Sequence, residues 1–207
     1  MTPLKDFRPP LAAILRGLDE RRAGEVGALL FGAGFRILEV PLNRPGALEC
    51  IRTLVGIAPS DALVGGGTML SVADVDAVHE AGGRLMVSPN CNPAVIRHAV
   101  AKGMHTAPGI ATPTEAFTAL DAGAHALKLF PAESLGLRGL KALLSVLPAG
   151  IPVWPVGGVT PESIAPWLRA GASGFGIGGQ LFRPEMSLAS VADAAQAFLA
   201  AWRVAAR

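Results

Sequence analysis

The chain has 207 residues, 51% of them hydrophobic and 16% charged, with a formal net charge of +2. That is the length of one domain with ample material for a buried core. The balanced charge, with no Lys/Arg block interleaved with aromatics, excludes an electrostatic nucleic-acid footprint, and no apolar run is long enough to cross a bilayer.

From the N-terminus onward one pattern recurs. A short apolar run ends at Gly, Pro or a polar residue, and an Ala/Leu-rich amphipathic segment follows. The expected strands are residues 11–16, 37–42, 63–68, 85–89, 105–110, 126–130, 152–157 and 174–179. Helix starts are marked by Ser71-Val72-Ala73-Asp74, by the capping box Thr112-Pro113-Thr114-Glu115 and by Thr160-Pro161-Glu162. Helix ends are marked by Ala81-Gly82-Gly83, Lys102-Gly103, Ala122-Gly123 and Ala170-Gly171. Continuous apolar strands alternating with helices at a spacing of about 25 residues predict an α/β fold, a (β/α)₈ TIM barrel, near its lower size limit. No composition break divides the chain, so residues 1–207 are expected as a single barrel. A doubly wound open sheet is the alternative, but the Gly-rich fingerprint it would carry after its first strand is absent.

Residues 1–10 lack the apolar segment and cleavage site of a signal peptide, so a cytoplasmic location is expected. Cys50 and Cys91 are far apart and form no metal-spaced pair, which leaves them as free thiols.

Active sites of such barrels lie at the C-terminal ends of the strands. Three ionisable residues fall late in a predicted strand: Arg16, Glu39 and Lys128. Arg36, Arg84, His105 and His125 fall at strand beginnings, on the opposite rim, where solvent-facing structural roles are expected. Lys128 can either snorkel its ammonium to water or, desolvated among Leu127, Leu129 and Phe130, lose its proton and attack a ketone. Glu39 is either a salt-bridge partner or the carboxylate that moves protons for that amine. Arg16 offers a planar fork for a substrate carboxylate, and Thr68, after Gly65-Gly66-Gly67, is a second carboxylate ligand or a helix cap. The last two strands end in Gly157-Gly158 and Gly178-Gly179, where a barrel commonly holds a phosphate. Glycine lets backbone N–H groups approach the anion, and the following helix N-terminus adds its dipole. His79 and His98 fall in predicted helices, so no metal site is expected. There is no nucleophile elbow, no Walker loop, and no His placed to activate Cys91.

These segments resemble the 2-keto-3-deoxy-6-phosphogluconate and 2-keto-3-deoxy-6-phosphogalactonate aldolases over nearly the whole chain. The resemblance runs through Ala13-Ile14-Leu15-Arg16-Gly17, Leu38-Glu39-Val40-Pro41-Leu42-Asn43 and Gly65-Gly66-Gly67-Thr68. It continues through Ser88-Pro89-Asn90, Lys128-Leu129-Phe130-Pro131-Ala132-Glu133 and Val156-Gly157-Gly158-Val159. The resemblance implies a class I aldolase without metal or other cofactor. Its substrates would be a phosphorylated keto-deoxy sugar acid and pyruvate, and its assembly a homotrimer. It implies an imine at Lys128, a catalytic role for Glu39, pyruvate-carboxylate binding at Thr68, a site-lining Pro89, and a phosphate cradle at Gly157, Gly158, Gly178 and Gly179. Asn43 and Val156 replace the Arg and Thr typical of the gluconate type, so the chain looks closer to the galactonate branch, with Arg16 as the carboxylate partner. The Ser that the family often carries near the end of the last strand is missing from Gly178-Gly179-Gln180. The rival readings are the gluconate-type aldolase, a phosphosugar epimerase or isomerase, and a non-catalytic phosphosugar-binding barrel.

Overall fold

The structure, a computed structural model, describes residues 3–206. After a 3-10 turn (Leu4–Asp6) the chain alternates through β1 (Leu11–Ile14), α1 (Glu20–Ala33), β2 (Ile37–Pro41), α2 (Ala47–Ile57), β3 (Leu63–Gly67), α3 (Val72–Glu80), β4 (Leu85–Val87) and α4 (Pro93–Ala101). It continues through β5 (His105–Ala107), β6 (Gly109–Ile110), α5 (Pro113–Asp121), β7 (Leu127–Leu129), α6 (Ala132–Leu144), β8 (Val153–Pro155), α7 (Pro161–Ala170), β9 (Phe175–Ile177) and α8 (Leu188–Ala205).

All eight expected strand segments form, a residue or two shorter at their ends. The fifth is split into β5 and β6 at Pro108, which has no N–H to give to a ladder. The Pro108 carbonyl still accepts from the Lys128 N–H at 2.9 Å, so the break does not interrupt the wall. All pairings are parallel, in the orders β5-β4-β3-β2-β1-β9 and β6-β7-β8, and the bridge between Val156 and Gly176 joins β8 to β9. The result is a (β/α)₈ barrel.

Local chemistry accounts for the helix ends. Ser71 and Thr112 form capping boxes with Asp74 and Glu115, while Ser163 Oγ accepts from the Thr160 N–H at 2.9 Å. Gly82, Gly103, Gly123 and Gly171 all turn out of their helices at positive φ. None of the helices among the described residues is long and apolar enough to cross a membrane.

Two apolar layers result from the alternation of a strand's faces. Leu38, Val40, Leu127 and Leu129 face the helices in the larger cluster. Ala12, Ile37, Leu63, Leu85, Ala107, Ala126 and Trp154 fill the barrel interior, joined by Leu4 and Phe7 from the N-terminal turn. Glu39 is two residues beyond Ile37 and Lys128 two beyond Ala126, so both side chains belong to the interior face, one level nearer the C-terminal mouth.

The opposite rim needs one correction. Arg36 does reach the surface, where its Nε donates to Asp61 at 2.9 Å, and Arg84 donates to the His79 and Gly83 carbonyls. His105, expected to face solvent, is instead buried at 5% exposure. Hydrogen bonds between His125 and Thr106 draw the His125 ring across it, with ring centroids 5.3 Å apart.

Candidate active site

Strand register sets the chemistry at the barrel mouth. Glu39 stands opposite Ile14 on one side and Gly65 on the other, and Lys128 opposite Gly109 and Trp154. Both are buried, at 2% and 7% exposure. Lys128 therefore does not snorkel to water; its Nζ lies 4.9 Å from the centroid of the Phe130 ring. Burial holds its pKa below the ordinary lysine value, with the Glu39 charge opposing that shift and Arg16 reinforcing it. Burial likewise pushes the Glu39 carboxyl above the usual carboxylate range, against the pull of Lys128 and Arg16. Glu39 Oε2 is buried without a hydrogen-bond partner, and among the described residues Glu39 makes no ion pair. The salt-bridge reading of Glu39 thus has no partner, whereas a buried carboxyl with an oxygen left without a hydrogen bond is what a proton-transfer group requires.

Gly67 makes room for that carboxylate. A Cβ on Gly67 would overlap Glu39 Oε2 and stand 2.5 Å from its Cδ. Thr68 comes next at φ 54, a left-handed conformation unusual for a β-branched residue, and is half-buried. Ser71, not Thr68, caps α3, which removes the capping explanation for Thr68. Pro89 comes after β4 and is also half-buried; a Cβ on Gly109 would run into its carbonyl carbon and oxygen.

A cavity of about 270 Å³ opens at the ends of β1, β8 and β9; Glu39, Lys128, Thr68 and Pro89 do not line it, and Phe130 is its link to Lys128. It is lined by Arg16, Val156, Gly157, Gly158, Gly178 and Gly179, six of the residues singled out in the sequence, and also by Phe130, the ring beneath Lys128 Nζ. Gly157 and Gly158 have φ of 109° and 62°, a conformation that calls for glycine. A Cβ on Gly178 would enter open space. Among the described residues no hydrogen bond takes up the N–H of Gly158, Gly179 or Gln180. A helix backs only one of the two glycine turns. Helix α7 begins at Pro161, close behind Gly158, but α8 begins only at Leu188, so the expected helix dipole stands behind the first turn alone. The second turn is closed instead by Leu181 and Phe182, whose N–H groups donate to the Gly178 carbonyl at 2.8 and 3.0 Å.

Asn43, like Glu39, Lys128, Thr68 and Pro89, does not line this cavity; it is exposed in the turn after β2. Its neighbour Arg44 lines an adjoining cavity that shares Arg16 as a wall. Sequence reasoning missed Gln180 and Arg183, both of which line the glycine cavity. They lie in a loop beyond the last strand, and the available signal was only a polar and a basic residue close behind Gly178-Gly179. Cys91 is half-buried and free; its Sγ donates to the Glu115 carbonyl at 3.4 Å and burial raises its pKa, so it is held as a thiol. Among the described residues no three His, Cys, Asp or Glu side chains are grouped to hold a metal ion.

Parallel barrel, buried lysine and carboxylate at its mouth, and glycine turns on the last two strands define a site of the Schiff-base aldolase type. Residues 8–196 match the model of the KDPG and KHG aldolase family, and the chain belongs to that family. It is 48% identical over 197 residues to the 2-dehydro-3-deoxy-6-phosphogalactonate aldolase of Escherichia coli strain K12, covering 95% of this chain and 96% of that one. A solved structure described as native KDPGal superposes with a TM-score of 0.95 at 45% identity, covering 97% and 98% of the two chains. The 2-dehydro-3-deoxy-phosphogluconate aldolase of Zymomonas mobilis is more distant, 35% identical over 161 residues, covering 77% and 76%.

Proposed function

We propose that this chain is a class I aldolase that cleaves 2-dehydro-3-deoxy-6-phosphogalactonate to pyruvate and D-glyceraldehyde 3-phosphate. The observation that carries the reading is the pair Lys128 and Glu39, both buried at the barrel mouth and both shifted by burial toward their neutral forms. A lowered lysine pKa makes the nucleophilic amine easier to reach, and a raised carboxyl pKa brings Glu39 closer to the range in which it can both give and take a proton, which is what imine formation requires. Residues of an epimerase or a passive binding barrel would gain nothing from burying an unpaired lysine.

In this mechanism Lys128 Nζ attacks the C2 carbonyl. Glu39 protonates the carbinolamine oxygen, which leaves as water, and the protonated imine remains. Glu39, now a carboxylate, takes the proton of the C4 hydroxyl, directly or through a water. The C3–C4 bond breaks, its electron pair moves into the imine to form an enamine, and C4 becomes the aldehyde of glyceraldehyde 3-phosphate. Protonation of the enamine at C3 and hydrolysis of the imine release pyruvate and restore the amine. Arg16 and Thr68 serve the substrate carboxylate, with Pro89 lining that end. The glycine turns at 157–158 and 178–179 take the phosphate.

The galactonate epimer is favoured over the gluconate epimer by two considerations. Val156, buried on the cavity wall, presents no hydroxyl to bind the substrate's C4 hydroxyl, and the galactonate-type relative is much the more similar in sequence. A homotrimer is the assembly that the family resemblance implies, and light scattering of the purified protein tests it.

Borohydride reduction in the presence of pyruvate should leave a stable adduct on the peptide containing Lys128, absent from Lys128→Ala. Labelling at Lys102 or Lys141 instead overturns the mechanism. Assay of both C4 epimers then decides the substrate.

A further inference from the structure

The turn after β9, Gly178-Gly179-Gln180, lacks the serine hydroxyl that the family often carries, so that donor to a phosphate is missing there. Its surroundings are not favourable to an anion either. The Glu133 carboxylate packs against the first glycine turn, where a Cβ on Gly157 would overlap its Oε2 and one on Gly158 would stand 3.2 Å from the same atom. Without a cation, backbone N–H groups and the neutral Gln180 amide would have to hold a dianion beside that negative charge.

Arg183 lies across this cavity. Its Nε donates to Glu185 Oε1 at 2.9 Å and its Nη1 donates to the Gly179 carbonyl at 2.7 Å. These bonds draw the guanidinium back over the glycine turn and leave three of its five N–H donors uncommitted. The loop that carries it is anchored on both sides. Leu181 and Phe182 are buried beneath it, and Arg22 from α1 donates to the carbonyls of Pro184 and Met186. The cation is therefore held at the cavity wall with donors still available to a ligand.

We infer that Arg183 is the side chain that recognises the substrate phosphate and sets the preference for phosphorylated over unphosphorylated substrates. Glu185, whose carboxylate accepts from Arg183 Nε, acts as its positioning residue and orients the guanidinium. A guanidinium fork matches two phosphate oxygens and remains charged at any working pH, which a serine hydroxyl cannot offer. This inference rests on the proposed phosphate position at the two glycine turns.

The test is aldol addition of pyruvate to D-glyceraldehyde 3-phosphate and to D-glyceraldehyde, for wild type, Arg183→Leu and Arg183→Lys. Arg183 is exposed, so neither variant should lose its fold, and thermal melting checks this. Arg183→Leu should raise KM for the phosphorylated aldehyde by about 10- to 100-fold, as expected for a charge-assisted hydrogen bond. It should change KM for glyceraldehyde by less than about twofold, leave pyruvate trapping by borohydride intact, and weaken competitive inhibition by inorganic phosphate. Arg183→Lys should fall between. Equal effects on the two aldehydes, or none on either, overturn the role of Arg183 if the wild type still prefers the phosphorylated one. A wild type without that preference overturns the phosphate reading itself, and this inference with it.

Discussion

Gly67→Ala probes the active site without replacing either ionisable residue. The added Cβ would lie 2.5 Å from Glu39 Cδ and 2.9 Å from Oε1, and would overlap Oε2. Carbon atoms pack at about 3.5–4.0 Å, so the carboxyl must retreat by about 1–1.5 Å. The obstacle is the far end of a side chain, so the fold should accommodate it at a cost of about 1–3 kcal/mol, typical of overpacking. Catalysis should suffer more in proportion, because a misplacement of about 1 Å costs about 10²-fold. We expect kcat, monitored by coupling pyruvate release to lactate dehydrogenase, to fall about 10²-fold with a clear melting transition retained. If the effect passes through Glu39, adding Gly67→Ala to Glu39→Gln should cost little more than Glu39→Gln alone, which itself should lose about 10²–10⁴. Gly65→Ala is the contrast. Its Cβ would meet the Leu85 backbone, with N at 2.6 Å and C at 2.7 Å, so it should fail to fold rather than lose kcat. A Gly67→Ala enzyme with wild-type kcat, or fully additive losses in the double variant, would falsify the placement of Glu39 in proton transfer.

The same geometry leads to four more expected outcomes. The pKa of Lys128 in the folded protein lies below the ordinary 10.5, so the unfolded chain holds that proton more tightly and burial costs stability. The cost is full below the folded-state pKa, fades as pH rises from there toward the unfolded value, and is gone above it. Lys128→Met should therefore melt higher than wild type at pH 7, with the gap closing toward pH 10.5, and a lower melting temperature at pH 7 counts against the desolvated amine. Gly179→Val places side-chain atoms where a Cβ meets nothing nearer than Arg183 Cγ at 4.0 Å, so it should fold normally and raise KM for the phosphorylated substrate selectively. Equal losses on an unphosphorylated analogue would move the phosphate elsewhere. Val156→Thr should shift the ratio of kcat/KM for the two C4 epimers toward the gluconate form, and an unchanged ratio removes Val156 from the discrimination. Activity should survive exhaustive EDTA treatment, because the imine supplies the electron sink, and a zinc-restored loss would defeat the class I mechanism.

How much of the molecule is legible in its sequence depends on the range of the interactions involved. Strands and helices come from local signals: apolar runs, the boxes at Ser71 and Thr112, and the glycines at 82, 103, 123 and 171 all act within a few residues of themselves. Glu39 and Lys128 stand out for the same reason, since an ionisable residue inside an apolar strand is costly wherever that strand ends up. Distances across the barrel are another matter. That Gly67 shelters the Glu39 carboxylate depends on the register of β2 against β3, which pairs Glu39 with Gly65 and Pro41 with Gly67. That His105 packs against the His125 ring depends on the bend before β7, and that Asn43 stays outside the cavity depends on the path of the turn after β2. Arg183 carries no periodic pattern at all; its place beside the glycine turns comes from a loop pinned by Arg22, far away in the chain. Hydrophobic pattern and capping determine which segments become strands and helices, because those are nearest-neighbour energetics. Which side chains then meet is decided by register, closure and loop anchoring, contacts between residues that share no local signature in the sequence.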